Sequence, residues 1–76
     1  MAIAKIIAQK NNLVVLDGPE LGRLVNHTRL RIASVNGDGS RLRVVSGGEF
    51  AIAEVTKYQA GVTYLVGEQV DRDNGN

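Results

Sequence analysis

Apolar and polar residues alternate with a period of two along most of the chain, the mark of strands whose successive side chains point to opposite faces. The clearest case runs Thr28-Arg29-Leu30-Arg31-Ile32-Ala33-Ser34 and resumes at Arg41-Leu42-Arg43-Val44. Between them lies Val35-Asn36-Gly37-Asp38-Gly39-Ser40, with both an Asn-Gly and an Asp-Gly step. These dipeptides accept the positive φ of tight hairpin turns. Such a hairpin sends Leu30, Ile32, Leu42 and Val44 to one face and Arg29, Arg31, Arg41 and Arg43 to the other. The register must set same-face residues opposite each other, for example Ile32 opposite Leu42 across a three-residue loop. A slip by one residue would mix the two faces, so burial enforces the parity.

The rest of the chain reads in the same way. Leu13-Val14-Val15-Leu16 is a short, wholly apolar run, expected as a strand buried on both faces. Ile6-Ile7-Ala8-Gln9-Lys10 leads into it through Asn11-Asn12, two residues that tolerate a hairpin turn. Ile3, Ile6, Ile7 and Lys10 also fit helical spacing, but a helix over Ala2 to Lys10 would be very short, which favours the hairpin. Asp17-Gly18-Pro19 closes the strand, and Glu20 to Val25 has room for at most one helical turn. Phe50-Ala51-Ile52-Ala53-Glu54-Val55-Thr56 and Val62-Thr63-Tyr64-Leu65-Val66 are the remaining expected strands. The Ala51 and Ala53 side, with Val55, offers little bulk for a core and is expected to let another surface approach closely.

Five to six short antiparallel strands with tight turns, in 76 residues, predict an all-β single domain. The expected architecture is a small barrel or roll, SH3-like or similar, with at most one helical turn near residues 19–25. Closing or curling the sheet would hide edges that so short a chain cannot otherwise cover. The domain is expected over residues 1–70, followed by a polar C-terminal tail, 71–76.

Composition narrows the chemistry. The chain has no cysteine and one histidine, His27, so disulfides, thiolate metal sites and histidine-built metal sites are not expected. No cofactor is implied. Nucleophilic catalysis needs an activated group beside a base. His27 is the only side chain whose ordinary titration lies near neutrality, and it stands at an expected strand start, where a surface or capping role suffices. Gly47-Gly48-Glu49-Phe50 matches the signature of cyclic-dinucleotide synthases in four letters only. The additional acidic residue is missing, and that domain is about twice this size. The expectation is that the chain is not an enzyme.

Net charge is only +1, yet the charges are segregated. Five arginines between Arg23 and Arg43 face the single acid Asp38, whereas beyond Val44 five acids oppose Lys57 and Arg72. The four hairpin arginines, Arg29, Arg31, Arg41 and Arg43, form the candidate binding site for protein or nucleic acid. Guanidinium groups neutralise phosphates and are also enriched at protein interfaces. The aromatics Phe50, Tyr58 and Tyr64 lie outside the hairpin, and the pI of about 8.2 falls short of the value above about 9 typical of nucleic-acid modules. Pairing of these arginines with Glu49, Glu54 or Glu68 across strands would also explain them.

The function expected from these features is a non-enzymatic assembly or adaptor module that binds a protein surface or copies of itself. In size and texture it is like small virion or accessory structural proteins. The alternative is a small nucleic-acid-binding or regulatory protein that uses the arginine-bearing hairpin. No apolar run approaches the ~18 residues of a membrane span, so no membrane partner is expected. The cytoplasm, or a virion, is the expected location.

Overall fold

The computed structural model describes residues 2–18, 25–34, 39–47 and 50–73. Six strands follow in chain order: β1 (Ala4–Lys10), β2 (Leu13–Asp17), β3 (Arg29–Ile32), β4 (Arg41–Ser46), β5 (Ala51–Lys57) and β6 (Gln69–Arg72). They form a closed antiparallel barrel in the order β1-β2-β5-β4-β3-β6, with β6 pairing back onto β1. The expected all-β small barrel is therefore what the chain forms, with all six strands paired on both sides.

Alternation decides what lies inside. Ile6, Val14, Leu16, Leu30, Leu42, Val44 and Val70 are buried in the lumen. Ala51, Ala53 and Val55 complete it from β5. This overturns the expectation that the alanine side faces outward. Six strands enclose a narrow space, and small side chains on β5 leave room for the leucines and isoleucines opposite. The outward residues of β5 are Ile52, Glu54 and Thr56 instead.

The β1–β2 hairpin turns at Asn11, whose φ of 54° is the left-handed conformation that asparagine tolerates. Residues 4–10 are thus strand, not helix. The expectation that Leu13 to Leu16 is buried on both faces fails. Val14 and Leu16 are fully buried, while Leu13 is 47% exposed and Val15 half-buried. Among the described residues no second layer covers the outside of the barrel there.

In the β3–β4 hairpin Leu30 pairs with Leu42, Arg29 with Arg43 and Arg31 with Arg41. The register differs by two residues from Ile32 opposite Leu42, so the faces keep their predicted parity. The turn itself, 35–38, lies outside the described residues, as does most of the helical turn expected near 19–25. The described end of that segment, Val25, is exposed.

Residues 62–66 are not a strand. They cross one end of the barrel and insert Leu65, 1% exposed, into the core. Gln9 holds this crossing. Its Oε1 accepts from the Leu65 amide at 2.7 Å, and its Nε2 donates to the Thr63 carbonyl at 2.9 Å and the Asn11 carbonyl at 3.1 Å. The chain then turns at Gly67, φ 95°, and β6 runs between β3 and β1. Asp71 and Arg72, read from the sequence as the start of a polar tail, belong to this closing strand.

Near the end of β2, Gly18 touches the start of β1. A Cβ there would lie 2.5 Å from the Ile3 carbonyl oxygen and 2.8 Å from the Ala4 Cα. Backbone on both sides cannot yield cheaply. Gly18→Ala is expected to cost about 1–3 kcal/mol, read as a lower urea midpoint with unchanged slope. Wild-type stability in that variant would mean that β1 and β2 separate there without cost.

Candidate binding surface

The outer wall of the barrel carries two different surfaces. On β3 and β4 the four predicted arginines do come together: Arg29 beside Arg43 and Arg31 beside Arg41, all at outward positions. Like charges directly opposite each other repel, so the surface needs acids, and these come from both flanking strands. Glu54 on β5 pairs with Arg43, Nη2 to Oε1 at 3.0 Å. Asp73, just beyond β6, reaches Arg41 at 3.3 Å. Asp71 stands opposite Arg31 in the β3–β6 register. The Arg41 guanidinium also donates to the Gly39 carbonyl at 2.7 Å.

Of the acids expected to serve these arginines, Glu54 does so. Glu49 lies outside the described residues, and Glu68 precedes β6, where its amide bonds to the Leu65 carbonyl. Asp71 and Asp73 were missed, because a polar run at the end of a chain gives no local sign of being a strand. The Asp71 Oδ1 accepts a hydrogen bond from the Arg72 amide at 2.8 Å. The arginine surface is thus a framed, partly neutralised charge lattice rather than a bare cationic strip.

The wall of β1, β2 and β5, which joins the arginine surface at Glu54, has an apolar centre. Two outward rows cross it: Ala8, Val15 and Ile52 are direct register partners, and so are Lys10, Leu13 and Glu54. Leu13 and Ile52 are 47% and 38% exposed. Together with Ala8 and Val15 they line a shallow groove of about 240 Å³. Phe50, two residues before Ile52, and Ile7, at the β1 bulge, are exposed as well. Sequence reading missed this surface because it took Leu13 to Leu16 as wholly buried and assigned the alanines of β5 to the outside.

His27 occupies an exposed turn with φ 73°. Its amide donates to the Val44 carbonyl at 2.7 Å, and Thr28 Oγ1 donates to the Val25 carbonyl at 2.7 Å. These contacts give it a backbone role in the turn. Ser40 is buried, and its Oγ accepts from the Gln59 amide at 2.9 Å. Among the described residues no three His, Cys, Asp or Glu side chains cluster as metal ligands, and no helix is long and apolar enough to cross a membrane. No protein-family model, curated protein or solved structure matches the chain.

Arg43 and Glu54 keep nearly half of their side-chain surface in solvent, 47% and 42%. A double-mutant cycle on Arg43→Ala and Glu54→Ala is expected to give a coupling below about 1 kcal/mol, reduced by added salt. A larger, salt-insensitive coupling would show that the lattice supports the fold rather than covering it.

Proposed function

We propose that the chain is a non-enzymatic assembly or adaptor module that docks against protein through the outer wall of β1-β2-β5. The observation that carries this reading is the outward apolar group of exposed Leu13 and Ile52 with half-buried Val15 between them, on a barrel whose core is already complete. Contiguous apolar surface on a small domain marks an interaction site more often than isolated exposed side chains do. The arginine lattice on the adjoining wall supplies solubility and a charged flank. A photo-crosslinking residue at Ile52, with a control at Arg31, tests the reading on the purified chain and in its native extract. Protein adducts are expected at position 52 and not at 31. Adducts only at 31, or none at 52, overturn it.

A second reading uses the arginines on nucleic acid, favoured by their side-by-side outward placement on β3 and β4. Counterion release makes such binding strongly salt-dependent. With Glu54, Asp71 and Asp73 framing the surface, affinity for labelled DNA or RNA at physiological salt is expected to be weaker than ordinary non-specific binding of about 10⁻⁴–10⁻⁶ M. Tighter binding that disappears on Arg29→Ala with Arg43→Ala would establish this second reading in place of the first.

A further inference from the structure

We infer that the occupant of the β1-β2-β5 wall is a second copy of the same wall, related by a two-fold axis running along β2. The inference rests on the proposed docking role of that wall and names its partner. A two-fold interface requires one patch to complement itself, and the register pairs meet that requirement row by row. With the axis along the central strand, each β1 lies over the partner's β5, and β2 lies over β2. In the upper row, Lys10 then faces the partner's Glu54, while Leu13 meets its own copy. In the next row, Ala8 faces the partner's Ile52, a small side chain against a large one, and Val15 meets its own copy.

Cation faces acid, small faces large, and the apolar pair sits on the axis. Packed sheets stand about 10 Å apart with strands within about 30° of alignment, a gap that leucine and valine fill from both sides. Glu54 keeps its bond to Arg43, so the arriving Lys10 shares a carboxylate already oriented by the barrel. A foreign protein would need to match this pattern by chance, whereas a second copy matches it by symmetry.

The apolar centre spans only three strands, about 10 Å from the first to the last. That is small beside the ~800 Å² per partner of a standard interface. The dimer is therefore expected to be weak, with dissociation roughly in the high micromolar range.

Sedimentation of the full chain across concentrations tests the pairing, with circular dichroism confirming that each variant folds. The wild type is expected to pass from monomer to dimer. Ile52→Lys is expected to remain monomeric. Lys10→Glu and Glu54→Lys are each expected to weaken the dimer by roughly tenfold, and the Lys10→Glu/Glu54→Lys double variant to recover most of the loss, because each reversed charge again meets its opposite across the axis. A wild type that stays monomeric at millimolar concentration overturns the inference, as does a dimer untouched by Ile52→Lys or a double variant no better than the singles. The broader docking role survives the first of these outcomes if the crosslinker at position 52 still captures a different protein, and falls with the inference if it captures none.

Discussion

Six short strands form a stable sheet only if both edges are satisfied, and here that rests on four residues, Gln69–Arg72. β6 pairs with β3 on one side and β1 on the other. Backbone bonds from Ala33 to Gln69 at 2.8 Å, Ile3 to Val70 at 2.8 Å and Asp73 to Arg29 at 2.9 Å lock it in place. Without it, β1 and β3 would each present a row of unpaired amides and carbonyls to other chains. Gln9 and Leu65 serve the same closure from the end of the barrel, since the segment they anchor carries the chain from β5 to β6.

Closure of so few strands makes the lumen narrow, and that narrowness sets the character of the outside. β5 meets it by turning Ala51 and Ala53 inward, and strand parity then sends Ile52 out. The same parity on β2 buries Val14 and Leu16 and leaves Leu13 and Val15 on the outer wall. The apolar wall is thus a consequence of packing a small interior with strands that are apolar on both sides. The hydrophobic cost of its exposure is what a docking partner would relieve.

The charged wall has a different logic. Four arginines at outward positions of two neighbouring strands would repel one another, and the acids that answer them stand on β5 and β6, one strand away on either side. Part of the basic middle of the chain thus meets part of its acidic end within one barrel. Among the described residues, that leaves the apolar wall, rather than the cationic one, as the surface without an evident internal partner.

Much of this is legible in the sequence. The period-two pattern from Thr28 to Val44 placed the aliphatics inside and Arg29, Arg31, Arg41 and Arg43 outside, and Asn11-Asn12 marked its hairpin. The failures share one cause. Val62 to Val66 is rich in β-formers, yet the half-buried Gln9 and an open barrel end recruit it as a plug; Asp71 and Arg72 read as a tail, yet they belong to the closing strand. Local alternation is written in the chain, because each side chain's face follows from its neighbour's. Which strands lie side by side, and so which outward residues become a common surface, was decided only by the tertiary structure. Those neighbours are far apart in sequence and are joined by the closure of the sheet, which no local pattern encodes.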